Sequence, residues 1–292
     1  MKFAVIANPH KYEVKDILAS TVKWASQNNV TLLLSKEVCK LTEITASPTL
    51  IQTDTDEHAI AEADYVVVIG GDGTILYTAR ISTKENKPIL GINSGRLGFM
   101  TNTQPEDLEK ALNCLLSKNF KIDKRHYLKA TDLDGNVFYA LNEFLFTRKD
   151  STSMINITAI YDGDLINTYW ADGLIVASST GSTAYSLSSG GPIVAPGTGV
   201  MLVTPINPHT LTTRPLVVRS DRPLKVRIDQ QRATEVLFSY DGIMKEIEKI
   251  PFEVEIIKSK LNFNLIHLPE QNYFETLRKK LMWGQDSRKG KN

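Results

Sequence analysis

Tyr65-Val66-Val67-Val68-Ile69-Gly70-Gly71-Asp72-Gly73-Thr74 runs an uncharged, β-branched stretch directly into an aspartate framed by glycines. Residues 65–69 read as a strand buried on both faces, the pattern of a parallel sheet. Gly70, Gly71 and Gly73 carry no Cβ and tolerate φ > 0, so their N–H groups can approach a ligand closely. Ile75, Leu76 and Ala79 then open a helical spacing. The loop therefore sits at a strand's carboxyl end and a helix's amino end, where open α/β sheets collect phosphates. A tight βα turn with Asp72 as helix cap accounts for the same residues, although three glycines give more freedom than a cap requires.

Around this stretch, strands are expected at 2–8 (closed by Pro9), 31–34 and 88–93, and helices at 14–25, 54–63 and 105–116. The 88–93 run ends in a second glycine-bearing loop, Asn93-Ser94-Gly95-Arg96-Leu97-Gly98-Phe99. This alternation predicts an α/β domain with a parallel, Rossmann-like sheet over 1–122. Beyond about residue 121 the texture turns to β, with strands expected at 127–133, 136–148, 154–161, 165–170, 215–218, 224–228, 236–240 and 252–257. Asp134-Gly135 and Asp162-Gly163 are hairpin signals between them. A mostly antiparallel β-sandwich domain is thus expected over 123–265. A helix at 273–282 that returns to the N-terminal domain, and a polar, basic, disordered tail from 285, complete a last segment, 266–292.

The 292 residues suffice for two cores, and 42% hydrophobic with 23% charged residues is ordinary for a globular protein. A formal net charge of +1 gives no bias toward nucleic acid or membrane. No run of eighteen apolar residues occurs, and the opening Met-Lys-Phe-Ala-Val-Ile reads as a strand, not a signal peptide. Cys39 and Cys114, far apart and without CxxC spacing, read as buried thiols of a reducing compartment, so a cytoplasmic location is expected.

Neither GxxxxGK[ST], GxGxxG nor GxSxG is present, and His10, His58, His126, His209 and His267 lack metal-ligand spacing. No metal-ligating set is expected from the protein itself. Asn142 and Glu143 interrupt an apolar run, Tyr139-Ala140-Leu141-Asn142-Glu143-Phe144-Leu145-Phe146, which reads as one continuous strand with one polar side chain on each face. An amide beside a carboxylate can read a base edge and ribose hydroxyls; a solvated edge strand explains the pair equally. Ala171-Asp172-Gly173 leads through an apolar strand into Ser178-Ser179-Thr180-Gly181-Ser182-Thr183-Ala184-Tyr185-Ser186-Leu187-Ser188, dense in hydroxyls and small residues. That suits a polar ligand held close to backbone with Tyr185 available to stack, or a serine-rich surface loop. Ser239-Tyr240-Asp241-Gly242 reads as a β-turn.

In this order, the Gly70–Thr74 loop, the Asn93–Phe99 loop, Asn142-Glu143, Ala171-Asp172-Gly173, the Thr180–Ser186 loop and Tyr240-Asp241-Gly242 resemble the NAD kinases from the first strand to about Pro269. The glycine loop alone is shared with diacylglycerol and sphingosine kinases; the hydroxyl-rich loop following the Asn-Glu pair is far more specific. Ser178-Ser179 stands where the family usually has Thr-Pro, and Met100 where some members have an aromatic residue. The resemblance implies transfer of the γ-phosphoryl group of ATP, or of polyphosphate, to the 2′-hydroxyl of the adenosine ribose of NAD. Mg²⁺ or another divalent cation would be bound mainly through the nucleotide phosphates. It implies Asp72 as general base and Gly70, Gly71, Gly73 and Thr74 as the phosphate-donor loop. Gly73, Phe99, Asn142, Glu143, Asp172, Thr183, Ala184, Tyr185, Ser188 and Asp241 would bind NAD, Asp241 across a subunit boundary of a homodimer or homotetramer. With no lysine adjoining the loop in sequence, metal and amides are expected to carry the phosphoryl charge. A diacylglycerol-type lipid kinase and a non-catalytic NAD(H)-binding regulator are the alternatives. The first is disfavoured by Ile75-Leu76-Tyr77 after Thr74 and by the absence of a basic amphipathic face, the second by the presence of Asp72.

Overall fold

The computed structural model describes residues 1–8, 13–41, 49–95, 97–149, 153–229 and 236–283. Pro9, His10, Arg96 and the tail expected at 285–292 lie outside the described residues. The chain divides into two compact units, one of residues 1–124 with 263–292 and one of residues 125–262.

In the first unit the elements alternate: β1 (Lys2–Ala7), α1 (Glu13–Gln27), β2 (Thr31–Ser35), α2 (Lys36–Cys39), β3 (Leu50–Thr53), α3 (Asp56–Glu62), β4 (Tyr65–Gly70), α4 (Asp72–Ile81), β5 (Pro88–Asn93) and α5 (Leu108–Leu116). A 3-10 turn over Pro105–Asp107 leads into α5. All pairings in this sheet are parallel, in the order β5-β4-β1-β2-β3. Every residue of β4 is buried, so its uninterrupted apolar sequence reflects a strand covered on both sides. Phe3, Val5, Tyr65, Val67, Ile69, Leu90 and Ile92 form one core with Val14, Leu18 and Val22 of α1 and Ala111, Leu112 and Leu115 of α5. The Trp24 indole N–H donates to Asn113 Oδ1 at 3.1 Å, linking the two helices. α3 and α4 pack on the strands as well. β3 and α2, too short to show a period, are additions to the sequence reading. Cys39 and Cys114 are only partly buried, lining this core and not enclosed in it.

The second unit contains β6 (Lys121–Asp132), β7 (Val137–Ala140), β8 (Glu143–Arg148), β9 (Ile155–Tyr161), β10 (Asp164–Ala171), β11 (Gly173–Ser178), α6 (Tyr185–Ser188), β12 (Val200–Ile206), β13 (Leu216–Arg219), β14 (Leu224–Ile228), β15 (Val236–Tyr240) and β16 (Ile243–Glu246). A 3-10 turn, Gly181–Thr183, precedes α6. The antiparallel sheet β13-β12-β11-β8-β15-β16 faces a second antiparallel layer that includes β10-β9-β14 and the β6–β7 hairpin, and residues of both enter one core. β14 shows the expected alternation, Leu224, Val226 and Ile228 buried between exposed Lys225 and Arg227. β11 is buried throughout because Leu202, Leu145, Val194 and Ile206 cover its outer face around Ile175 and Ala177. Asp162 (φ 52°) with Gly163 (φ 96°), and Asp241 (φ 45°) with Gly242 (φ 84°), make hairpin turns with two left-handed residues. In the Asp134-Gly135 turn only Gly135 is left-handed (φ 82°), and the Asp132 carboxylate closes it by accepting from the amides of Asp134 and Asn136.

β17 (Phe252–His267) is sixteen residues long, far beyond the strand expected at 252–257. Its first half pairs antiparallel with β14, and Asn264 and Leu265 pair parallel with Pro88 and Ile89, adding a strand beside β5 in the first unit. α7 (Tyr273–Leu281) then belongs to the first unit, as expected of a returning C-terminal helix. The expectation of a parallel α/β sheet followed by an antiparallel β-sandwich holds.

Phe238 of β15 is fully buried and has the rings of Phe138, Phe144, Phe146, Tyr240 and Phe252 around it, with centroids 5.2–6.1 Å away. Phe238→Ala is expected to destabilise the protein by about 3–5 kcal/mol through the cavity it opens, read as a lowered midpoint in equilibrium chemical denaturation.

Candidate functional site

In the first unit the site is built where β4 meets α4. Gly71 is the N-cap with φ −120° and ψ −173°, and it makes no side-chain cap bond. None of Gly70, Gly71 or Gly73 has positive φ, so left-handed freedom is not why they are glycines. At Gly70 the reason is space, since a Cβ there would overlap the Thr74 side chain. The Gly70 carbonyl accepts from Ser94 N at 2.9 Å, joining the glycine loop to the Asn93–Phe99 loop. The latter loop turns on Asn93, whose Oδ1 accepts from Gly95 N at 3.0 Å and whose amide donates to Gly95 O at 3.0 Å.

Asp72 is therefore the first residue of α4 and does not cap it. Its carboxylate faces the second loop: Oδ2 accepts from Phe99 N at 2.8 Å, and Oδ1 from Met100 N at 3.0 Å, Thr101 N at 3.2 Å and Thr101 Oγ1 at 3.3 Å. Each charge-assisted bond of this kind contributes about 1.5–3 kcal/mol when well formed. The two oxygens are thus inequivalent, Oδ1 with three donors and Oδ2 with one amide. A Cβ at Gly98 would run into both Asp72 Oδ1 and Thr101 Oγ1, so glycine is required there by the carboxylate itself. Met100 is buried at 3% exposure and offers Asp72 its amide. The sequence reading found no lysine next to this loop; the fold supplies one from α7, with Lys280 Nζ 3.7 Å from Asp72 Oδ2.

In the second unit the run expected to be one strand from 136 to 148 is broken. β7 ends at Ala140 and β8 begins at Glu143, with Leu141 and Asn142 in a bend between them. The cause is Asp241, whose carboxylate accepts from Leu141 N at 2.6 Å, Asn142 N at 2.9 Å and Glu143 N at 3.1 Å. Asn142 and Glu143 consequently do not alternate across a sheet. Burial raises the Asp241 carboxyl to about 6 against the opposing pull of those amides. Burial, with Asp241 as a nearby like charge, pushes Glu143 up to about 8, and its Oε2 is buried with no hydrogen-bond partner among the described residues.

The hydroxyl-rich loop packs on the same bend. Ser178 Oγ donates to Leu141 O at 2.5 Å and accepts from Thr180 N at 3.0 Å and Gly181 N at 3.2 Å. A Cβ on Gly181 would collide with the Asn142 carbonyl. The serines divide by orientation. Ser182 bonds to Ser179 O and Val194 O, and Ser186 pairs with Thr204 Oγ1 at 2.9 Å, so these hydroxyls serve the fold. Thr183 and Ala184 are half-buried, while Tyr185 and Ser188 are exposed. Ser179 Oγ is buried without a partner among the described residues. Asp172, between β10 and β11, accepts from Arg148 Nε at 2.8 Å and Asn207 Nδ2 at 3.1 Å. Thr101, Arg148, Asn207 and Lys280 carried no motif signal. Only the basic last turn of α7, Arg278-Lys279-Lys280, could have drawn attention to the lysine.

Among the described residues no three His, Cys, Asp or Glu side chains are grouped to hold a metal ion, and no helix is long and apolar enough to cross a membrane. A cleft of about 480 Å³ lies elsewhere in the second unit, between the Asp132–Asp134 turn and residues 245–253, and contains none of the candidate residues.

Residues 3–120 match the family model of the ATP-NAD kinase N-terminal domain, and residues 141–268 that of the ATP-NAD kinase C-terminal domain. An NAD kinase of Cytophaga hutchinsonii is 40% identical over 244 residues, covering 82% of this chain and 83% of its own. One of Flavobacterium psychrophilum is 34% identical over 99% of this chain and 100% of its own. A yeast NADH kinase complexed with NADH has the same fold, with a TM-score of 0.90 at 24% identity over 100% of this chain and 90% of that one. An NAD kinase from Archaeoglobus fulgidus in complex with ATP has a TM-score of 0.75 at 25% identity over 97% and 99%.

The raised Glu143 carboxyl makes stability pH-dependent with a definite sign. Between its ordinary value near 4.5 and about 8 the folded state holds a proton that the unfolded state has lost, so stability falls as pH rises through that window. His126, pushed by burial down to about 4, acts with the opposite sign but only below its ordinary value of 6.5. From about pH 6.5 to 8.5 the wild-type melting temperature is therefore expected to drop, and Glu143→Gln to flatten that drop, in thermal scans across a buffer series.

Proposed function

Because the chain belongs to the ATP-NAD kinase family, we propose that it transfers the γ-phosphoryl group of ATP to the 2′-hydroxyl of the adenosine ribose of NAD, forming NADP. Family membership itself establishes an ATP-dependent NAD kinase and removes the lipid-kinase and non-catalytic alternatives. Polyphosphate as a second donor remains part of the proposal. The observation that carries the assignment of the base is the inequivalence of the Asp72 oxygens. Oδ1 is saturated by three donors, whereas Oδ2 has one amide and keeps a lone pair for a substrate hydroxyl.

In this reading Asp72 takes the 2′-hydroxyl proton as the bond from the ribose oxygen to the γ-phosphorus forms and the β–γ bridging bond breaks, releasing ADP. Gly70, Gly71 and Gly73, with the Thr74 hydroxyl, hold the donor phosphates at the amino end of α4 through the loop backbone and the helix dipole, the Thr74 amide itself donating to Gly71 O at 2.9 Å. Mg²⁺ or another divalent cation, arriving on the nucleotide phosphates, supplies charge neutralisation; the chain provides no carboxylate cluster for it among the described residues.

Gly73, Phe99, Asn142, Glu143, Asp172, Thr183, Ala184, Tyr185 and Ser188 bind NAD. Glu143, protonated through neutral pH, offers a hydroxyl donor as well as an acceptor to the adenosine moiety. Asp241, expected to reach NAD across a subunit boundary, accepts from three amides of its own chain, Leu141 on Oδ2 and Asn142 and Glu143 on Oδ1, and so sets the bend that presents Asn142 and Glu143. A homodimer or homotetramer is the assembly we propose.

Asp72→Asn keeps the shape of the side chain but removes its basicity. It is expected to reduce NADP formation at least about a hundredfold while leaving NAD affinity within a few-fold, measured by coupled assay and calorimetry. Near-normal turnover in that variant would sink the role given to Asp72.

A further inference from the structure

The last turn of α7 carries three cations, and they differ in what they touch. Lys279 is paired with Glu275 one turn back at 2.7 Å. Lys280 instead reaches the glycine-bearing loops: Nζ donates to Leu97 O at 2.8 Å, lies 4.9 Å from the Phe99 ring centroid and stands 3.7 Å from Asp72 Oδ2. The helix that delivers it is anchored to the same region. Asn272 caps α7 by accepting from Phe274 N, and Leu277 is buried. Gln271 accepts from Leu268 N at 2.9 Å and donates to Thr103 Oγ1 at 2.9 Å, while Thr103 O accepts from Asn93 N at 2.8 Å. Hydrogen bonds thus tie the second loop through Thr103 to Gln271, two residues before α7, and Lys280 returns from α7 to that loop and to Asp72.

We infer that Lys280 is a catalytic residue that contacts the transferring phosphoryl group, the lysine that the sequence around the glycine loop lacks. The inference rests on the assignment of Asp72 as the base. A hydroxyl donating to Oδ2 would sit about 2.6–3.2 Å from it, and the reacting phosphorus about 3–3.5 Å beyond the hydroxyl oxygen. Nζ stands 3.7 Å from that same Oδ2, so in this reading the ammonium and the phosphoryl oxygens would meet at the one hydroxyl. Lysine has three N–H donors, and Leu97 O occupies one, which leaves donors for phosphoryl oxygens. Bringing an anionic phosphoryl group beside a carboxylate is repulsive, and a cation on the shared side offsets that repulsion where it is greatest. As a stability device the pair accomplishes little, because both side chains are about one-third exposed (32% and 29%). Lys280 keeps its proton throughout: the 2′-oxygen–phosphorus bond forms, the bridging bond breaks, the hydroxyl proton passes to Asp72 and ADP leaves with the electron pair.

The test uses the full chain with saturating ATP, Mg²⁺ and NAD. Lys280→Ala is expected to lower kcat about 10–100-fold, less than loss of a fully enclosed oxyanion donor because the side chain is partly exposed. KM for NAD should change less than about threefold. Ethylammonium added to the alanine variant should restore turnover saturably, and Lys280→Arg should retain more activity than Lys280→Ala. A kcat for Lys280→Ala within twofold of wild type overturns the inference. So does a loss that neither ethylammonium nor arginine recovers, since the side chain would then be a strut for the loop. Asp72→Asn run in parallel separates the two readings. Its collapse beside an active Lys280→Ala overturns this inference alone, whereas its near-normal turnover removes the base assignment and this inference with it.

Discussion

A carboxylate gripped by three consecutive backbone amides is the constraint on which both candidate clusters depend. Asp72 draws the amides of Phe99, Met100 and Thr101 onto itself, and Asp241 does the same with Leu141, Asn142 and Glu143. In each case a short acidic side chain from one element fixes the path of a loop distant in sequence. Converging amide dipoles favour negative charge at the point of convergence, as in an anion-binding nest. The same physical device serves two ends: at Asp72 it holds the carboxylate proposed as the base, and at Asp241 it sets the bend that carries Asn142 and Glu143.

The surroundings of these carboxylates explain several sequence features that otherwise look arbitrary. Gly98 is glycine because the Asp72 oxygen occupies the space of a Cβ, and Gly181 because the Asn142 carbonyl does. Ser178 ties the hydroxyl-rich loop to the bend at Leu141 through one oxygen that both donates and accepts. Glu143 sits beside Asp241 in a desolvated setting, and two such acids close together cannot both ionise cheaply. The protonated one is the acid without amide donors.

Much of the architecture was legible in local patterns. The buried run of β4, the amphipathic spacing of α1 and the alternation of β14 each carry the period and polarity of their environment. The Asp-Gly pairs at 162–163 and 241–242 announced their turns because only such residues adopt two successive left-handed conformations cheaply. What was not legible came from partners far away along the chain. The 136–148 run has the hydrophobicity of one strand, and only a carboxylate about a hundred residues on breaks it. The sixteen residues of β17 extend past their sequence signal because two different sets of neighbours satisfy the two ends.

By itself the sequence determined the fold class and the family motifs, and it supplied the groups proposed for phosphoryl transfer. Those depend on local periodicity and on which side chains are present. Tertiary structure alone decided what each group is free to do. It saturated one oxygen of Asp72, committed Asp241 to its own backbone, turned the Ser182 and Ser186 hydroxyls inward and brought Lys280 to the glycine loop from the last helix. Hydrogen-bond occupancy and charge proximity are properties of distances across space, and no spacing along a chain encodes them.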